Sequence, residues 1–197
     1  MSTSSKPTII GLSGTNGSGK DSLGIGLERY GYYFVSGSEF LRQELRNRRL
    51  PITRDNTRML STEWRNKYGG GVLIEKALAD WKVSRPDAKG LVIASIRAKE
   101  EAEKIHELGG IIVWADADPK IRYQRIQNNL QSRGRTDEDQ ISFDEFIKDE
   151  EVEMHPSDDP NSTLDMASVK AQSDIFLVND YPDVDSFVLY AAQKLSL

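Results

Sequence analysis

The stretch Ile9-Ile10-Gly11-Leu12-Ser13-Gly14-Thr15-Asn16-Gly17-Ser18-Gly19-Lys20-Asp21-Ser22 runs from an apolar segment into a glycine-rich turn that ends in lysine. Gly14 and the pair Gly19-Lys20 stand at the spacing G-x-x-x-x-G-K. Glycines at these places let backbone N–H groups turn inward on an anion, and the lysine reaches the outer phosphates of a nucleotide. A helix starting at the lysine adds its positive N-terminal dipole. The flanks suit that setting: Thr8 to Leu12 reads as a buried strand, and Leu23, Leu27 and Tyr30 recur at i, i+4 and i+7 as on one helical face. Gly14, Thr15, Asn16, Gly17, Ser18, Gly19, Lys20, Asp21 and Ser22 are therefore the candidate phosphate-binding residues. The general pattern places a magnesium-touching hydroxyl directly after the lysine. Here Asp21 occupies that place and the hydroxyl follows as Ser22, so Asp21 is either a metal ligand or a carboxylate that complements the helix dipole.

Outward from this loop, strands alternate with helices. Tyr32 to Ser36, Gly90 to Ala94, Gly110 to Trp114 and Asp174 to Val178 are the further apolar strands, which makes five with the first. Such alternation implies a parallel sheet with helices on both faces. Between Ser38 and Ser84 lies a helical insertion, with Phe40, Leu41 and Leu45 in one helix, Met59, Leu60 and Trp64 on the apolar side of the next, a break at Gly69-Gly70-Gly71, and Ile74, Ala77, Leu78 and Trp81 on one face of a third. Asp118 and Pro119 have the chemistry of an N-cap and a first helical residue, and Asp116 and Asp118 read as structural. In the helix that follows, Arg122 and Arg125 are three apart and share a side from which both can face phosphates. The polar run Gln131 to Asp139 reads as a mobile flap, and His155 to Asn161 as an exposed loop.

Composition narrows the functional classes. The formal charge of −5 argues against a general nucleic-acid binder, which carries a basic surface. The absence of cysteine excludes disulfides and thiolate metal sites. There is no apolar run long enough for a membrane span, and Met1 to Pro7 lacks the apolar core of a signal peptide, so a cytoplasmic location is expected. His106 and His155 share no metal-ligand spacing.

The chain resembles the nucleoside monophosphate kinase group of P-loop proteins, of which adenylate kinase and dephospho-CoA kinase are members. The loop Gly14 to Ser22 is similar to that of adenylate kinase, and Phe34-Val35-Ser36-Gly37-Ser38-Glu39-Phe40-Leu41-Arg42 to the segment whose arginine grips the acceptor phosphate. Ile93-Ala94-Ser95-Ile96-Arg97 resembles the strand that ends in an aspartate and a second phosphate-binding arginine; Arg97 matches, whereas the acid position is Ala94. Arg122 or Arg125 stands where the group has an arginine before its lid, and Arg133 with Arg135-Thr136-Asp137 resembles the lid itself. The resemblance implies a single P-loop NTPase-type three-layer α/β domain over residues 1–197. Its helical insertion at about 38–84 would be the acceptor lid, and about 131–140 a short donor lid. It also implies ATP with magnesium, and transfer of the γ-phosphoryl group to a small acceptor by a monomer or small homo-oligomer. Lys20, Arg97, Arg133 and Arg135 would be catalytic, Arg125 would join the ATP site, and Ser36, Arg42 and Arg97 would bind the acceptor. A nucleoside or deoxynucleoside monophosphate is the first acceptor, dephospho-CoA the second, and a nucleotide-binding sensor or scaffold without turnover the reading that Ala94 keeps open.

Overall fold

The computed structural model describes residues 8–133, 139–155 and 163–197. Its strands are β1 (Ile9–Gly14), β2 (Tyr32–Ser36), β3 (Gly90–Ala94), β4 (Ile111–Asp116) and β5 (Ile175–Val178). They form one parallel sheet in the order β2-β3-β1-β4-β5, with Gly11 of the central strand in register with Ile93 on one side and Ile112 on the other. Every residue of β1 is buried, as expected of a strand covered on both faces.

Side-chain alternation along the strands divides the core into two layers. Ile10, Leu12, Val92 and Val113 pack with Leu23 and Leu27 of α1 (Lys20–Leu27) and with Phe187, Val188 and Ala191 of α10 (Val184–Lys194). Ile9, Leu91, Ile93 and Ile112 point the other way, onto Ile74 and Ala77 of α4 (Val72–Ser84), Ala102 and Ile105 of α5 (Lys99–Glu107) and Val169 of α9 (Met166–Ala171). Each of the valine, leucine, isoleucine and phenylalanine side chains contributes ~1.5–3 kcal/mol by leaving water, so these two layers hold the sheet rigid beneath the site. The three-layer α/β fold read from the strand and helix pattern is the fold observed.

The insertion is built as expected from α2 (Gly37–Asn47), α3 (Arg54–Tyr68) and α4, and has a core of its own made by Leu41, Leu45, Leu60, Trp64, Val72 and Leu73. Thr53 caps α3 by accepting from Asn56 N. Two local expectations need correction. Met59 lies 63 % exposed, because Leu60 and Trp64, spaced i and i+4, set the buried stripe and Met59 falls one position off it. The first helix stops at Leu27 and tightens into a 3₁₀ turn, Glu28–Tyr30, that ends at Gly31 with φ 92°; Tyr30 still packs on the same core. Among the described residues no helix is long and apolar enough to cross a membrane.

Further along the chain stand α6 (Pro119–Asn128), α7 (Leu130–Arg133) and α8 (Phe143–Met154). Asp118 caps α6 by accepting from Lys120 N and Ile121 N, as its place before Pro119 predicts. Ser142 and Glu145 form a reciprocal capping box at the start of α8, satisfying two otherwise orphaned backbone donors. Because the strands are parallel, their C-terminal ends lie along one edge of the sheet, where ligands of open α/β folds bind.

Candidate active site

The glycine-rich loop joins β1 to α1 at this edge. Gly14 has φ 133°, and a Cβ there would stand 1.9 Å from the Ala115 carbonyl oxygen; only glycine lets the loop leave the strand beside β4. Gly19, in the left-handed region just ahead of α1, would drive a Cβ to 2.5 Å from Asn179 Nδ2. Lys20 is buried and its Nζ donates to the Thr15 carbonyl at 3.2 Å.

Side chains from three other elements brace the loop from outside. Thr15 Oγ1 donates to Asp116 Oδ1 at 2.7 Å, Asn179 Nδ2 donates to the Ser18 carbonyl at 2.8 Å, and Arg122 Nη1 donates to the Asn16 carbonyl at 3.2 Å. Asp116 is thus structural, as expected. Arg122 corrects the expectation that it shares a phosphate-facing side with Arg125. It is almost wholly buried, bonds the Ala117 carbonyl and the Glu150 carboxylate, and packs over Phe146. Arg125 does face the open space, with Nη2 donating to the carbonyls of Asn179 and Tyr181.

A cavity of about 440 Å³ opens over the loop, lined by Lys20, Asp21, Ser22, Arg42, Arg97 and Arg125 together with Asn179, Tyr181, Pro182, Val184 and Phe187. Its dimensions and its mix of cations and apolar surface suit a nucleotide. A smaller space of about 70 Å³ adjoins it and shares Asn16, Ser38, Arg42, Ser95 and Arg97 as a common wall. Arg54, Arg58 and Arg65 of α3 line the smaller space, together with Asp139 and Glu153.

The common wall is held in place by buried polar contacts. Arg42 Nη1 donates to Ser38 Oγ at 2.9 Å, and Ser38 in turn lies 3.1 Å from Ser36 Oγ and 3.3 Å from Ser95 Oγ. Ser95 adopts φ 71° at the end of β3, a left-handed conformation that costs a serine ~1–3 kcal/mol and is typical of ligand-facing turns. Arg97 is set by Glu101, whose Oε2 accepts from the backbone N of Arg97 at 2.8 Å and of Ala98 at 3.2 Å, while its Oε1 accepts from Arg65 Nη2 at 2.7 Å. On the opposite side Arg97 Nη1 lies 2.6 Å from Glu153 Oε2. Burial pushes the Glu153 carboxyl pKa upward, but Arg97, Arg54 and Arg58 outweigh it and hold the group below the usual glutamate range.

The structure therefore brings the expected loop together with Arg42, Arg97 and Arg125, while Ser36 lines neither space and reaches the wall only through Ser38. Arg135 lies outside the described residues, as does the side chain of Arg133. Ala94 is fully buried in the core, so the strand end carries no acid toward the site. Among the described residues no three acidic or histidine side chains cluster to hold a metal, but the half-buried Asp21 and Ser22 at the start of α1 offer oxygen donors of the kind magnesium accepts, and that ion keeps several waters.

Residues not expected from the sequence are Arg54, Arg58, Arg65, Ser95, Glu101 and Glu153. The signal for the arginines was present: positions 54, 58, 61 and 65 recur at i, i+4, i+7 and i+11, one polar stripe along α3. For Ser95 and Glu153 there was none, since a left-handed serine and a contact between distant helices leave no local mark.

Comparison with known proteins places this arrangement. Residues 10–153 match the AAA domain family AAA_18. A UPF0200 protein of Pyrobaculum aerophilum is 30% identical over 179 residues, 90% of each chain, and one of Pyrococcus abyssi 28% identical over 183 residues, 91% of this chain and 89% of that one. Among solved structures, a shikimate kinase from Bacteroides thetaiotaomicron superposes with a TM-score of 0.56 at 16% identity, covering 96% of this chain and 99% of that one. A gluconokinase from Sinorhizobium meliloti does so with 0.54 at 19%, covering 97% and 93%. These two establish the fold, which is that of the P-loop kinases. By the match over residues 10–153 and the identity spanning nine-tenths of its relative, the chain belongs to the AAA_18 family of P-loop NTPase domains and to the UPF0200 proteins.

Proposed function

We propose that the protein is a small-molecule kinase that moves the γ-phosphoryl group of ATP to a phosphorylated acceptor, a nucleoside or deoxynucleoside monophosphate in the first place. The observation that carries this reading is the common wall: Arg42 and Arg97 line both the cavity over Lys20 and the arginine pocket beside it. Phosphoryl transfer asks a protein mainly for positioning and charge neutralisation. Lys20 would neutralise the outer phosphates of ATP, Asp21 and Ser22 would help place magnesium, and Arg125 would border the nucleotide. Ser36, Arg42 and Arg97 would orient the acceptor. The insertion at 38–84 and the segment 131–140, with Arg133 and Arg135, would close over the two substrates and exclude water.

The strand ends favour an acceptor that is already ionised. A phosphate oxygen needs no base, whereas a hydroxyl acceptor, such as that of dephospho-CoA, profits from a proton acceptor within hydrogen-bond reach. The ends of β2 and β3 carry Ser36 and Ser95 and Ala94 points into the core, while the carboxylates of the smaller space, Asp139 and Glu153, lie against Arg54 and Arg97. Ala94 also supports the second reading, a nucleotide-binding sensor without turnover. A coupled ADP-release screen over nucleoside monophosphates, deoxynucleotides and dephospho-CoA separates them. Acceptor-dependent ADP formation with a monophosphate is the expected result; tight ATP binding with no acceptor-stimulated ADP in any arm would favour the sensor.

A further inference from the structure

Glu153 sits in the last turn of α8, and its side chain is nine-tenths buried among the guanidinium groups of the smaller pocket. Its Oε2 is 2.6 Å from Arg97 Nη1, while its Oε1 is 3.6 Å from Arg54 Nη1 and 3.7 Å from Arg58 Nη2. One turn earlier Asp149 stands 3.3 Å from Arg54 Nη1 and 3.9 Å from Arg58 Nη2, so α8 grips α3 through a ladder of two acids on two arginines. The ladder is electrostatically matched but poorly bonded. The Arg58 contacts are too long for hydrogen bonds, and its buried Nε and Nη2 make none among the described residues. Glu153, with two oxygens and one charge, meets three cations; Asp149 shares Arg54 and Arg58 with it, and Asp139 stands 3.8 Å from Arg54 Nη2. A phosphate monoester brings three terminal oxygens and nearly two charges, and can accept from the Arg58 donors that the carboxylates leave unbonded.

We propose, resting on the reading of this pocket as the acceptor site, that Glu153 is a built-in competitor for the acceptor's phosphate. The phosphate displaces the Glu153 carboxylate from Arg54, Arg58 and Arg97, and in doing so loosens the hold of α8 on α3. A tethered carboxylate acts at high effective concentration, so a free monoanionic carboxylate does not dislodge it. The competitor therefore acts as a filter for phosphate, and it neutralises the arginines until the acceptor arrives.

The test uses the full chain carrying Lys20→Ala, which weakens phosphate binding at the loop in both members of the comparison, with inorganic phosphate titrated by calorimetry. Adding Glu153→Gln is expected to tighten phosphate binding about tenfold, the size of one displaced charge contact. Equal or weaker binding in the folded double variant would overturn the proposal. Should that variant fail to fold, hydrogen exchange in the Lys20→Ala chain decides: phosphate is expected to speed exchange across residues 143–154 and leave the sheet unchanged. Unchanged or slowed exchange in α8, or the same loosening by acetate, would overturn it. Failure of the ADP screen with this competition intact would remove the kinase reading alone, and loss of the competition with turnover intact would remove only the role of Glu153.

Discussion

The phosphate loop and the arginine pocket meet at one wall but are made of opposite materials. The loop is a contiguous run of backbone, shaped by glycines and braced from outside by Thr15 with Asp116, by Asn179 and by Arg122. The pocket is made of side-chain charges drawn from α2, α3 and the turn after β3. Backbone amides attract an anion through partial charges and need no counter-ions when it is absent. Guanidinium groups that are taken out of water do need them, because an uncompensated buried charge is costly. Glu101, Asp149 and Glu153 fill that need for the arginines of the pocket.

The comparison can be broken most forcefully at the Arg65–Glu101 pair, whose side chains are only 3% and 1% exposed. Arg65→Ala leaves the Glu101 carboxylate buried without its partner and is expected to cost about 3–5 kcal/mol in urea unfolding. A loss below about 1 kcal/mol, the range of an exposed pair, would mean that the pocket does not depend on internal neutralisation.

Next in size is the loop itself. Lys20→Ala is expected to keep the fold, measured by circular dichroism, and to lose about 10²-fold or more in turnover, the scale of removing one transition-state charge contact. Near-normal turnover in the folded variant would reject the loop as the donor site.

Arg42→Ala sharpens the division between the two regions. Arg42 is buried on the common wall and held by Ser38, so its loss is expected to weaken the acceptor about tenfold or more, as for a charged hydrogen bond, and to leave ATP affinity nearly unchanged. Equal losses for both ligands in titration calorimetry would count against an acceptor role.

The smallest effect belongs to Asp21→Ala. As a magnesium ligand Asp21 predicts a raised magnesium requirement and reduced turnover; as a dipole partner it predicts only ~0.3–1 kcal/mol of stability. Turnover measured against magnesium concentration distinguishes the two, and an unchanged dependence leaves Asp21 with the helix alone.

The division in materials is also a division in what could be read from the chain. Gly14 to Ser22 carries its geometry in consecutive residues, so spacing and flanking periodicity suffice to place it between a strand and a helix. Arg42, in the helix after β2, and Arg97, in the turn after β3, are marked by the segments around them. Arg54, Arg58 and Arg65 look like the solvent face of a helix until α3 is seen to turn that face into the smaller pocket. Arg122 and Arg125 show the converse: three residues apart on one helix, one is clamped beneath the loop and the other borders the cavity. A helical period gives the angle between side chains, but not the depth to which each is buried.

By itself, then, the amino-acid sequence determined the strand–loop–helix order, the parallel sheet, the helical insertion and the phosphate loop, because each of these follows from interactions between residues close in the chain or from a repeating apolar pattern. Tertiary structure alone decided which cations converge, and that Glu101 and Glu153 neutralise the arginine wall. Those features depend on charges more than thirty residues apart meeting inside the protein, where desolvation makes every pairing consequential.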